Sequence, residues 1–143
     1  MHIEALLESK GTAVATIRRQ ATVADAVAEL ASHGIGALVV SDDGASIEGI
    51  VSERDVVRRL NELGPGVLEQ PVSAIMSTMV FTCGVDDLVD SLAETMTERR
   101  IRHVPVVRDG ALAGIVSIGD VVKSRIGELE KDRSELMEYI TAR

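Results

Sequence analysis

The apolar positions of this chain change period several times, and each change marks an element. Residues 14–17, "VATI", form a short β-prone run. Val23, Ala26, Val27, Leu30 and Ala31 then recur at helical spacing, which predicts an amphipathic helix of about three turns. Gly34 stands where a helix C-cap is expected. "IGALVV" is an apolar run of strand length, "SDDG" signals a turn, and "IEGIV" reads as a second strand, so the two strands should form a hairpin. Ser52 occupies an N-cap position before "ERDVVRRL". The unit is therefore β-α-β-β-α.

The same pattern is written twice. Thr16 aligns with Thr82, Val23 with Val89, Leu30 with Met96, Ile35 with Ile101 and Gly44 with Gly110, at one constant offset. One residue drops out near Ser46, after which "GIVSERDVV" meets "GIVSIGDVV". The predicted fold class is α/β (α+β), with two β-α-β-β-α repeats packed sheet to sheet about a pseudo-two-fold axis. A unit of this size buries little surface by itself, so two apolar sheet faces should cover one another. The first repeat is assigned to residues 1–62, including an N-terminal helical segment in which Ile3, Leu6 and Leu7 share a face. Residues 63–77, broken by Gly64, Pro65, Gly66 and Pro71, form the linker, with one short helical turn after Pro71. The second repeat covers residues 78–126, and residues 127–143 extend its last helix. Along that helix Val122, Ile126, Leu129, Arg133, Leu136 and Ile140 follow alternating four- and three-residue steps, a coiled-coil-like seam with one basic interruption. The seam fits packing on its own domain and fits a dimer contact.

Composition narrows the function. The chain has 143 residues and a formal net charge of −8, which disfavours a phosphate-backbone reader. Phe81 and Tyr139 are the only aromatic residues, so stacking on single-stranded nucleic acid loses support as well. Cys83 is the lone cysteine, which excludes an internal disulfide, and no zinc-ligand spacing surrounds it. The start "MHIEALLESKG" lacks a signal-peptide pattern, and no apolar run approaches the ~20 residues of a membrane span. The expectation is a cytoplasmic protein with neither nucleic acid nor membrane as partner.

The order β-α-β-β-α, twice, with "G-I-V-S-x-x-D" closing each unit, resembles the tandem cystathionine β-synthase (CBS) domain pair, or Bateman module. "RIRHVPVV" and "SIGDVV" carry the likeness most closely, and it covers residues 14–126. The resemblance implies a non-catalytic regulatory module with no required cofactor. It implies an adenosine-type ligand (AMP, ADP or ATP first, with S-adenosylmethionine or NAD-type ligands as others) in clefts between the repeats. It further implies a homodimer, and an effector protein that reads the ligand state. The Thr16-Ile17 and Thr82-Cys83 stretches match where members of the family hold the adenine edge, with Ile17 and Cys83 giving apolar contact to the base.

Residue chemistry supports this expectation. Ser52 and Asp55 lie three apart at a helix start, so both side chains project to one side of the first turn. The free N–H groups and partial positive charge there favour phosphate, and a serine hydroxyl can donate to it. An aspartate suits the donor hydroxyls of a ribose diol. Ser117 and Asp120 repeat the arrangement. Ordinary N-capping explains the same residues, and the two roles are compatible. Gly49 and Gly114 fall on strands, where glycine marks either a close approach or a bulge. Arg54, Arg102 and His103 are the phosphate candidates. Gly119 replaces Arg54 in the second copy, and Gly36 and Ala37 stand opposite Arg102 and His103, so the clefts should differ in charge. Solvated surface charge for the arginines and a structural role for His103 are the alternatives.

Two other classes of function compete with this one. Catalysis has no nucleophile elbow, H-E-x-x-H or P-loop behind it. A ligand-free dimerisation or docking module of the same fold, with Ser52 and Ser117 serving only as caps, is the main rival.

Overall fold

The computed structural model describes residues 1–142. Helix α1 (Ile3–Lys10) opens the chain. The first unit follows as β1 (Thr16–Ile17), α2 (Val23–His33), β2 (Ala37–Val40), β3 (Gly49–Ser52) and α3 (Glu53–Leu63). Two 3-10 turns, Pro65–Glu69 and Val72–Ala74, make the link. The second unit is β4 (Cys83–Gly84), α4 (Val89–Arg99), β5 (His103–Arg108), β6 (Ala111–Ser117) and α5 (Ile118–Thr141).

Each unit builds a three-stranded sheet in chain order. β1 pairs parallel to β2 through the α2 crossover, and β2 pairs antiparallel to β3; β4, β5 and β6 repeat this. Local signals place the helices. Thr22 and Asp25 form a capping box at the start of α2, and Gly34 ends it at φ 62°. The apolar stripe of α2 is narrower than its spacing suggests: Val23, Ala26 and Leu30 are buried, whereas Val27 and Ala31 are exposed.

Strand β2 is buried on both faces. Leu38 and Val40 enter the first core, with Ile17, Val23, Val51 and Val56. Ala37 and Val39 are sealed on the opposite face, towards the second unit. In the second unit Val104 and Val106 enter the core, and Pro105 is buried on the other side. Two covered faces explain why these strands read as unbroken apolar runs instead of alternating.

The cores exchange their lead-in segments, which corrects one sequence expectation. Helix α1 was expected with the first repeat. Its Ile3, Leu6 and Leu7 instead join Cys83, Leu92, Met96 and Val116 in the second core. The Ile3 N–H donates to Asp87 O at 2.8 Å and the Glu4 N–H to Val85 O at 2.9 Å. The linker does the reverse. Val67, Val72 and Ile75 complete the first core, with the Val72 N–H donating to Ala21 O at 2.7 Å.

The strand glycines make this exchange possible. A Cβ on Gly49 would lie 2.7 Å from Met76 Sδ and 2.8 Å from Ser77 O, and one on Gly114 would lie 2.7 Å from Leu7 Cδ2. The close approach is thus made by the protein's own lead-in segments. Gly114 also adjoins a bulge, because the β5–β6 register shifts between Val106 and Val107.

Alanine at either glycine should cost about 1–3 kcal/mol in urea unfolding. Gly49→Ala should cost more than Gly114→Ala. Its clash is with the Ser77 backbone, which is fixed to Ile50 by hydrogen bonds of 2.9 and 3.0 Å, whereas Leu7 can shift its side-chain end. Equal stability of both variants with the parent protein would refute the crossed packing.

Candidate functional site: two unlike clefts between the repeats

Each cleft joins the helix start of one unit to the lead-in segment of the other. The first, about 370 Å³, is lined by Ser52 at the end of β3, by Arg54, Asp55 and Arg58 from α3, and by Met79, Val80, Phe81 and residues 100–103 from the second unit. The second, about 560 Å³, is lined by Ser117 at the end of β6, by Asp120 from α5, and by Ala13, Val14, Ala15 and residues 33–37 from the first unit. Lys10 and Ile115 complete it, and His103 borders both clefts.

At the first helix start the Asp55 N–H donates to Ser52 Oγ at 3.2 Å, and the Ser52 N–H donates to Asp55 Oδ2 at 2.9 Å. The Ser52 hydroxyl donates to the same Oδ2 at 2.9 Å. Arg58 Nη2 approaches Asp55 Oδ1 at 3.0 Å. Capping and cleft lining coincide: the residues that close the helix end also face the cavity. The second helix start has the same capping box, with one addition. Lys10 Nζ donates to Asp120 Oδ2 and to Ile115 O, each at 2.6 Å. Partial burial pushes the Asp120 carboxyl up. The Lys10 hydrogen bond and charge, with the Ser117 backbone and hydroxyl, outweigh that and hold it below the usual carboxylate value.

The clefts differ in charge. Arg54, Arg58, Arg100 and Arg102 line the first, against Glu53 and Asp55. The second has Lys10 against Asp120, with His33 at its rim. Arg100 stands where the first unit has Gly34, and it keeps the same left-handed backbone, φ 54°. That conformation costs a non-glycine residue roughly 1 kcal/mol, and it is held at the wall of the arginine-rich cleft.

Ser52, Arg54, Asp55, Arg102 and His103 come together in the first cleft, and Ser117, Asp120 and His103 in the second. The adenine-edge residues do not follow. Ile17 and Cys83 are buried in the two cores, and Thr16 and Thr82 line neither cleft. The short parallel pairings of β1 with β2 and of β4 with β5 turn Ile17 and Cys83 inward, so the residues just upstream form the walls. Burial, with the Asp87 charge nearby, pushes the Cys83 thiol up to about 12, which makes it an inert core residue. Arg58 and Lys10 were missed. Arg58 had a legible signal, one turn beyond Asp55. Lys10 had none, since α1 was expected with the other repeat.

His103 sits where the units touch. A Cβ on Gly36 would lie 3.1 Å from its ring and 3.3 Å from Glu53 Oε1, so Gly36 makes room for the imidazole. Among the described residues, no group of three or more His, Cys, Asp or Glu could hold a metal ion, and no helix is long and apolar enough to cross a membrane.

Comparison with known proteins agrees with this geometry. The CBS domain family model matches twice, at residues 11–62 and 72–127. The Arabidopsis thaliana CBS domain-containing protein CBSX3, described as mitochondrial, is 37% identical over 123 residues, 83% of this chain and 60% of its own length. The chain thus spans less than two thirds of that relative. The crystal structure of the CBS-domain containing protein ATU1752 from Agrobacterium tumefaciens is 44% identical, with a TM-score of 0.84, covering 87% of this chain and 99% of that one. The CBS domain protein PAE2072 from Pyrobaculum aerophilum, solved with AMP, is 30% identical with a TM-score of 0.75 over 84% of this chain and 89% of that one. The CBS domain pair of protein MJ0100, solved with 5-methylthioadenosine and S-adenosyl-L-methionine, is 25% identical with a TM-score of 0.79 over 90% and 98%. Two matching repeats on one scaffold define a tandem CBS pair; this chain belongs to the CBS domain family.

His103 gives a pH signature. Burial lowers its pKa first, Glu53 and Asp120 oppose that, and Arg102 and Lys10 add to it, with a net lowering from the usual 6.5. As pH falls through about 6.5, the unfolded chain takes up a proton that the folded chain refuses, so folding stability drops. His103→Gln should flatten the loss of urea stability between about pH 7 and 5. Parallel pH profiles for variant and parent would show that His103 is not held in its neutral form.

Proposed function

We propose that this protein is a non-catalytic regulatory module whose first cleft binds an adenine nucleotide, with AMP, ADP and ATP as the first candidates. One observation carries the proposal: a helix start presenting Ser52 and Asp55 shares its cleft with four arginines, Arg54 and Arg58 from the same helix and Arg100 and Arg102 from the other repeat. Asp55 suits the ribose diol. The arginines suit phosphate, and so does the Ser52 hydroxyl if it turns from Asp55 to the ligand. Aliphatic residues such as Ile50, Val80 and Ile101 supply the base contact that aromatic rings supply elsewhere. The AMP complex of PAE2072 and the adenosine-derived ligands of MJ0100 support the ligand class. The second cleft, with one lysine already on Asp120, suits a less anionic adenosine ligand.

A ligand in either cleft touches both repeats. It can favour one inter-repeat angle over another, and so alter the surface offered to an effector protein, provided it binds the two arrangements unequally. Self-association into a homodimer is part of the proposal.

Isothermal titration with AMP, ADP, ATP and adenosine tests it. Arg102 is exposed and makes no ion pair among the described residues, so Arg102→Ala should leave folding intact. It should weaken AMP about tenfold or more, the loss expected for a charge-assisted hydrogen bond, while adenosine binding changes little. Asp55→Asn should weaken both. Absence of binding to all four ligands would leave the ligand-free docking module as the function, with Ser52 and Ser117 acting as caps alone.

A further inference from the structure

Packing elsewhere in the chain sets Lys10 on Asp120. Ile3, Leu6 and Leu7 anchor α1 in the second core, with Leu7 lying over Gly114. Lys10 is the last residue of that helix, and its side chain reaches the end of β6 and the start of α5. Its Nζ donates to Ile115 O and to Asp120 Oδ2, each at 2.6 Å. The Ser117 N–H donates to the same Oδ2 at 2.9 Å. The oxygen that closes the helix end therefore also holds the ammonium.

The first helix start is held differently. Arg58 reaches Asp55 Oδ1 at 3.0 Å from one turn along the same helix, and its side chain is 63% exposed. A cation so open to water gains little from its pair and leaves it readily. The Lys10 side chain is only 27% exposed, and Ile115 O gives its ammonium a second acceptor. Short charge-assisted hydrogen bonds are the strong ones. The twin carboxylates thus differ in how freely they accept a new donor.

We infer that Lys10 competes with the ribose of any nucleoside ligand for Asp120 and so makes the first cleft fill before the second, a conclusion that rests on Asp55 and Asp120 being the ribose acceptors proposed above. The hydroxyls of a ribose diol must donate to a carboxylate that already accepts from an ammonium. The charge of the second cleft suits a less anionic ligand, and Lys10 sets what that ligand has to overcome. A released side chain has room. Lys10 and Asp120 also line a groove between α1 and α5, about 520 Å³, whose walls include Glu128. The ion pair borders both the groove and the second cleft.

Isothermal titration with adenosine, which carries no charge to attract Lys10, tests the inference. Every variant also carries Asp55→Asn, to weaken the first cleft. In that background Lys10→Met keeps the aliphatic stem and drops the ammonium, and adenosine should bind about tenfold or more tighter. Lys10→Ala, a strong helix former at the end of α1, should show the same gain. Lys10→Arg, which restores a cation, should return the weak value, and Asp120→Asn added to Lys10→Met should remove the gain. Damage to α1 weakens binding, so a gain separates competition from a structural role. Unchanged or weaker adenosine binding in Lys10→Met and Lys10→Ala, in a protein that binds AMP through Asp55, would overturn the competition and leave the ribose reading standing. A gain that survives Asp120→Asn would overturn it as well. No adenosine binding in any variant, with no AMP binding in the parent protein, would overturn both.

Discussion

The fold depends on a crossing. Leu7 settles over Gly114, and the Met76–Ser77 segment settles over Gly49. Each repeat therefore finishes its core with a segment that the chain delivers from outside that repeat. A sheet of three short strands with one helical layer has too little apolar surface to stand alone. The borrowed segments supply what is missing, and they tie the repeats together while doing so. Because each lead-in must travel from one unit to reach the other, it passes along the boundary. Residues 13–15 and 79–81 become cleft walls for that reason. The clefts are a by-product of how the cores are closed.

Once the clefts exist, the helix starts inherit two tasks. Ser52 with Asp55, and Ser117 with Asp120, satisfy the free ends of α3 and α5 by reciprocal hydrogen bonds. The same atoms lie at the cavity walls. Duplication then allowed divergence without loss of the scaffold. The first cleft collected arginines, one of them in a backbone conformation that favours glycine. The second received a lysine from α1, held on its carboxylate by a helix anchored in the neighbouring core. His103, seated against Gly36, borders both cavities, as do Gly36 and Ala37.

Much of this was legible in the residues. The doubled "GIVS" segment, the capping serines and the turn at Gly34 are local signals, and local signals survive folding. The class of fold followed from their order. What stayed hidden was non-local. Nothing in "IEALLESK" says which sheet it will cover, so α1 was expected with the wrong repeat and Lys10 went unnoticed. The direction of Ile17 and Cys83 was hidden likewise: a two-residue strand has no alternation to read, and only its pairing with β2 or β5 decides which way it faces. Charge, by contrast, was read correctly as unequal, because Gly36 and Gly119 remove basic residues whatever the packing.

Hydrogen exchange with and without saturating AMP tests the central claim, that an adenine nucleotide is gripped at once by the helix start of one repeat and the lead-in of the other. Amides at 52–55 should gain protection together with those at 79–81 and 100–103. Protection confined to one repeat, or an exchange pattern that AMP leaves unchanged, would contradict it.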